Sequence, residues 1–231
     1  MQTPLLLVPG LGCTARLYAP QLSALADVAA THIVDHGRHD TIAAIATAAL
    51  AAAPARFALA GLSMGGYVAF EMIRQAPERV DRLALLDTMA RPDTPAILER
   101  RHRHLALIAD GRYGEVIEAL LPVLVHPDGV ADAALVAVVR EMADAIGAER
   151  FARQMRAIMG RADSRPTLKA IRCPTLVLVG AEDALTPPDL AREMHDGIAG
   201  SRLVVVPDCG HLSTIERPEA VTAALRTWLA D

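Results

Sequence analysis

The sequence predicts an α/β fold: an open, mainly parallel sheet of about six strands, helices on both faces, and an all-helical insertion after the fourth strand. Three observations predict it. Short apolar runs alternate with helix-forming stretches through residues 1–90, joined by short loops, as in parallel βαβ units. Between about 91 and 165 no good strand pattern occurs. Strand signals resume at 173 and alternate with helices to the last residues. The chain thus divides into a core of 1–90 and 166–231 and a helical insertion of 91–165.

Residues 3–8 form an apolar run ended by Pro9-Gly10-Leu11-Gly12, read as a buried strand and a glycine loop. A helix is expected over 17–25 and a second strand over the β-branched run 31–35. The polar loop 36–40 follows, then an alanine-rich helix to 53 with Thr41 as its cap region and Pro54 as its stop. The third strand is 56–60, and a helix after Ser63 ends near Pro77. The fourth strand is 80–86. The insertion reads as helices over 95–110, 113–125, 131–146 and 149–160, with breaks near Gly111, Pro127-Asp128-Gly129 and Gly147. The strand at 173–180, the helix at 188–198, the strand at 202–206 and the helix at 218–229 complete the chain.

Composition narrows the function classes. The 231 residues are 52% hydrophobic, enough for one sizeable core, but only 3% aromatic, with a net charge of −4. No basic block stands out and few aromatics are available for base stacking, which argues against nucleic acid as a partner. Cys13, Cys173 and Cys209 are odd in number and far apart, so they suggest neither a disulfide framework nor a metal site. Reduced thiols in a cytoplasmic protein are the simplest account. The first ten residues lack the basic start and long apolar region of a secretory signal. The uncharged stretch 41–55 is too short to span a membrane.

The chemistry centres on Gly61-Leu62-Ser63-Met64-Gly65, set between a strand and a helix. That is the context of a nucleophile elbow: the flanking glycines let backbone segments pass closely while the serine sits strained at the tip. The helix N-terminus and the Met64 N–H then lie where an oxyanion would form. Two later loops supply partners. Gly180-Ala181-Glu182-Asp183 follows one strand, and Gly210-His211 follows the last. All three sites fall at carboxyl ends of parallel strands, where catalytic groups collect in open α/β sheets. A serine hydroxyl needs a base, an imidazole titrates near neutrality, and a carboxylate fixes the imidazole tautomer. Ser63, Asp183 and His211 are the candidate triad. Glu182 and Asp208 remain open as the orienting acid.

Gly61-Leu62-Ser63-Met64-Gly65-Gly66, Gly180-Ala181-Glu182-Asp183, Arg172-Cys173-Pro174-Thr175-Leu176 and the segment from Gly210-His211-Leu212 to Glu219 resemble the α/β-hydrolase superfamily. The nearest likeness is to small bacterial carboxylesterases and to enol-lactonase-like and haloperoxidase-like enzymes. The resemblance implies that the insertion is a cap and that the Leu11 N–H is a second oxyanion donor, although Pro9-Gly10-Leu11 replaces the more usual His-Gly-x. The sequence departs from the family in starting almost directly at the strand before the oxyanion loop, so a sheet without the usual leading antiparallel hairpin is expected. The resemblance also admits Asp87 as an alternative acid.

The expected activity is hydrolysis of a carboxylic ester of a small, largely apolar substrate through an acyl-enzyme, with no cofactor and no metal. Opening of an enol-lactone, carbon–carbon bond hydrolysis or perhydrolysis would use the same residues, and a non-catalytic ligand-binding protein is the remaining alternative. Tyr113, Met155, Ile158, Met159 and Leu212 are candidate substrate contacts. The segment with His32, Asp35, His36, His39 and Asp40 reads as a polar rim loop rather than a metal site, with His36 or Arg38 in reach of substrate. Arg100, Arg101 and Arg103 read as a solvated face, and His126 and His195 as surface residues.

Overall fold

The computed structural model describes residues 2–231. Six strands, β1 (Thr3–Val8), β2 (Ala29–Ile33), β3 (Phe57–Leu62), β4 (Val80–Leu86), β5 (Thr175–Gly180) and β6 (Arg202–Val206), form one sheet in the order β2-β1-β3-β4-β5-β6. Every neighbouring pair is parallel. The strand order reverses at β1, so the crevice between the carboxyl ends of β1 and β3 is a topological switch point. β3 and β5 are buried along their whole length.

Side chains alternate across the pleat, and this splits the core in two. Leu6, Leu59, Leu83, Leu85, Val177 and Val179 face one layer, built from α2 (Ile42–Ala52), α3 (Met64–Gln75) and α8 (Pro188–Gly197). Leu5, Leu7, Ala60, Leu86, Leu176 and Leu178 face the other. There they meet Leu17 and Tyr18 from the 3-10 turn before α1 (Ala19–Ala24), and Val221, Leu225 and Trp228 of α10 (Pro218–Ala230).

Between β4 and β5 lie α4 (Pro95–Ala109), α5 (Tyr113–Leu124), α6 (Ala133–Met159) and the short α7 (Arg165–Leu168). Two helical stretches make up α6, and they meet at a kink at Gly147, where the sequence places the break. Gly147 itself is non-helical, at φ 75° and ψ 162°, a left-handed φ that a side chain would resist. Val116, Ile117, Ala143, Ile146, Phe151 and Met155 form this insertion's own small core.

Most element boundaries agree with the sequence reading within two residues. β2 starts at Ala29 rather than 31, because pairing with β1 extends from Thr3↔Ala29 to Leu7↔Ile33. α7 and α9 (Ser213–Glu216) are four-residue helices with too little periodicity to read beforehand.

The elbow rests on close backbone passage. A Cβ on Gly65 would strike the carbonyls of Val8 and Pro9, where α3 crosses the end of β1. The Gly65→Ala substitution should therefore lower the unfolding free energy by about 3 kcal/mol or more, the upper end for overpacking. Gly114, in α5 with open space around its missing Cβ, is the contrast: Gly114→Ala should stabilise by about 0.5–1 kcal/mol. Urea unfolding of the two variants checks both signs.

Candidate active site

Ser63 sits between β3 and α3 at φ 54° and ψ −114°, a conformation rare for a residue with a side chain. It is held there on both sides. Its N–H donates to Leu86 O at 2.9 Å, and its carbonyl accepts from Gly66 N at 2.9 Å and from Thr88 Oγ1 at 2.8 Å. Met64 is the first residue of α3, so its N–H belongs to the unpaired turn that begins the helix.

His211 and Asp183 meet from loops 28 residues apart, after β6 and β5. His211 Nδ1 and Asp183 Oδ2 are 2.8 Å apart, and each residue is 2% exposed. The carboxylate is well supplied with donors. Leu185 N and Thr186 N donate to Oδ1 at 2.9 Å each, and Thr186 Oγ1 donates to Oδ2 at 2.7 Å. Burial by itself would raise the Asp183 pKa, but the His211 charge and these hydrogen bonds outweigh it and hold the carboxyl below its usual range. Burial would lower the His211 pKa. The Asp183 charge and hydrogen bond, with Asp87 and Glu216 behind them, raise it instead. An imidazole oriented by a carboxylate is thereby poised to take up a proton.

The other acids are occupied elsewhere. Asp87, at the end of β4, accepts from Gly180 N at 2.9 Å and from Ser213 Oγ. Burial, and then the charge of Asp183, push its carboxyl well above the usual range. Glu182 accepts from Cys209 N at 2.9 Å and so ties the acid loop to the histidine loop. Asp208 is exposed and takes a positive φ of 50° in the turn after β6.

Ser63 and His211 line one cavity of about 100 Å³, with Gly10, Leu11 and Gly12 on the adjoining loop. Among the described residues no hydrogen bond joins Ser63 Oγ to the His211 ring, a bond that is often long before ligand binds. Met155, Ile158 and Leu212 also line the cavity. Tyr113 and Met159 do not. Tyr113 packs edge-on against Phe151 at 5.3 Å and donates to Ala143 O at 2.9 Å, while Met159 packs into the insertion core. The solvated reading of α4 holds for Arg100 and Arg103, which are exposed, and is corrected at Arg101, which is half-buried and pairs with Asp93. Arg100, Arg101 and His104 lie along the cavity.

Three supports were not legible beforehand. His36, 3% exposed, donates through Nε2 to Gly10 O at 3.0 Å; it is not among the cavity-lining residues, and Arg38 pairs with Asp35 at 3.0 Å. Gln154 of α6, fully buried, accepts from Gly12 N at 3.0 Å. Glu216 of α9 brackets the histidine: it accepts from Gly210 N at 3.2 Å and Leu212 N at 3.0 Å, and also from His126 N of the insertion at 2.6 Å. His126 is thus half-buried at the join between insertion and core. Glu216 has a sequence signal, being an acid one turn beyond a candidate histidine; Gln154 has none. His195 is half-buried too, its Nδ1 2.8 Å from Ser201 Oγ.

Comparison with known proteins adds to this geometry. The sequence model described as "Alpha/beta hydrolase family" matches residues 5–224. A pimeloyl-[acyl-carrier protein] methyl ester esterase of Neisseria meningitidis is 30% identical, over 96% of this chain and 91% of its own. A thermophilic esterase from Thermogutta terrifontis has a similar structure, with TM-score 0.90 and 33% identity, covering all of this chain and 90% of that one. The enol-lactonase of Burkholderia xenovorans LB400 also has a TM-score of 0.90, with 27% identity over all of this chain and 92% of its own.

Proposed function

The chain belongs to the alpha/beta hydrolase family, and from that premise we propose that it hydrolyses a carboxylic ester through a Ser63–His211–Asp183 triad and an acyl-enzyme. The observation that carries the reading is the His211–Asp183 hydrogen bond of 2.8 Å beside a cavity that also contains Ser63, strained at φ 54°. Ser63 Oγ attacks the ester carbonyl while His211 Nε2 takes its proton. Asp183 keeps the Nδ1 proton in place and stabilises the imidazolium. The leaving alcohol receives the proton from Nε2, and a water activated by the same nitrogen then releases the acid.

The N–H groups of Leu11 and Met64 stabilise the oxyanion in this mechanism. His36 Nε2 and Cys13 N both donate to Gly10 O, at 3.0 and 3.2 Å. A trans peptide points its N–H opposite to its carbonyl, so these two bonds orient the Leu11 N–H. The helical insertion acts as the cap, and its Gln154 steadies the same loop through Gly12 N. The apolar lining from Ile117, Met155 and Phe151 suits a hydrophobic part of the substrate. Opening of a lactone is the second reading, favoured by the structural likeness to an enol-lactonase.

No helix among the described residues is long and apolar enough to cross a membrane. Cys13, Cys173 and Cys209 are free thiols, and burial pushes Cys13 up to about 12, so the serine is the nucleophile in this scheme and the cytoplasm its setting.

Purified protein tested on aryl esters, enol-lactones and vinylogous diketones separates the readings. Turnover of the esters supports the proposal. Failure of a serine-reactive phosphonate to label the wild type would overturn it. The pH profile is a further check. His211 must be neutral to accept the Ser63 proton, and its pKa is raised above 6.5. Hence kcat/KM should fall as pH drops through a midpoint above 6.5, and Asp183→Asn should move that midpoint down.

A further inference from the structure

Apart from Ser63, His211, Thr186 and Tyr67, the polar side chains of the cavity lining come from one helix stripe. Ile97, Arg100, Arg101 and His104 of α4 all line it, and they lie at i, i+3, i+4 and i+7 on a single face. An amphipathic helix normally gives such a stripe to apolar residues; here three of the four positions carry cationic or imidazole side chains. Among the described residues the lining contains no Asp or Glu.

The charges on this stripe are unequally matched. Arg101 donates to Asp93 at 2.6 Å, and Arg161 shares that buried carboxylate at 2.8 Å. One carboxylate thus faces two guanidinium groups. Arg103, which does not line the cavity, pairs with Glu99 at 3.1 Å. Arg100 has no carboxylate partner among the described residues. The cavity therefore has a reactive end at Ser63, apolar walls, and a net positive charge on one wall.

We propose that the Arg100–Arg101–His104 stripe is an anion subsite, and that the substrate is an ester with a free carboxylate at the end of a short apolar chain. This rests on the hydrolase reading and names its substrate class. A guanidinium forms two parallel hydrogen bonds with a carboxylate. Arg100 is exposed at the edge of the cavity, so a neutral substrate leaves its charge to solvent, whereas a carboxylate gives it a partner. Monoesters of α,ω-dicarboxylic acids and carboxylate-bearing lactones both satisfy this chemistry.

The test separates binding from turnover. Ser63→Ala protein is titrated calorimetrically with monomethyl glutarate, adipate and pimelate, and with the matching dimethyl diesters. At least one half-ester should bind about ten- to hundred-fold more tightly than its diester, the range expected of a hydrogen bond to a charged group. Adding Arg100→Gln should bring that ratio close to one, whereas Arg103→Gln on the same helix should leave it intact. A half-ester that binds no better than its diester, or a preference that survives Arg100→Gln, would overturn the subsite. Hydrolysis of aryl esters by the wild type is read separately. Binding preference without any ester turnover would sink the esterase reading and leave the subsite standing; turnover without preference would do the reverse.

Discussion

Ser63→Ala should lower kcat on any accepted ester by about 10⁶, the loss expected when the nucleophile of a cooperating triad is removed. Phosphonate labelling should vanish with it. The fold should persist, since the Ser63 hydrogen bonds to Leu86, Gly66 and Thr88 all use its backbone atoms. A second variant ties the effect to the strained geometry. At φ 54° a glycine is more comfortable than a serine, so Ser63→Gly should be inactive yet more stable by about 1 kcal/mol. Thermal unfolding of the three proteins, set beside their rates, measures both quantities. Activity surviving in Ser63→Ala would move the nucleophile elsewhere, and Cys13, which also lines the cavity, would be tested next.

Asp183→Asn should cost about 10⁴ in kcat, because an amide at Oδ2 would favour the wrong imidazole tautomer and withdraw the charge that stabilises the imidazolium. Asp87→Asn should retain most of the activity. The two carboxyls are both buried, but their environments push them apart. Asp183 accepts from His211 Nδ1, Thr186 Oγ1 and two backbone N–H groups and is held below its usual range. Asp87, desolvated and repelled by Asp183, is held well above it and touches Gly180 and Ser213 rather than the imidazole. Such a split between neighbouring titratable groups assigns their roles. Equal losses from the two variants, or a larger loss from Asp87→Asn, would reverse the assignment. Steady-state rates across pH with both variants settle it.

The order of strands and helices was legible because each depends on a local period. β4 and β6 begin and end at the residues expected of them from the sequence. Thr41 caps α2 as expected, accepting from Ala44 N. Where the local signal thins, the reading drifts. The start of β2 is set by pairing with β1, and four-residue α9 is held by contacts with α10, α1 and the turn before it. Tyr113 and Met159 lie on helices whose rotation about their axes depends on the insertion's packing. Helical spacing places a side chain on a face without saying what the face meets.

The elbow, the glycine loop and the order Ser63, Asp183, His211 were determined by the sequence alone, because each sits just after a strand, and parallel strands bring all such loops to one rim. Which acid of Asp87, Glu182, Asp183 and Asp208 reaches the imidazole was decided only by tertiary structure. So were the hold of Gln154 on a glycine 142 residues away, the bracket of Glu216 around the histidine, and the turning of Arg100 toward the cavity. The physical reason is common to all of these. A strand end is specified within a few residues of chain, whereas a buried hydrogen bond between distant residues exists only once the core has fixed the separation and orientation of its two ends.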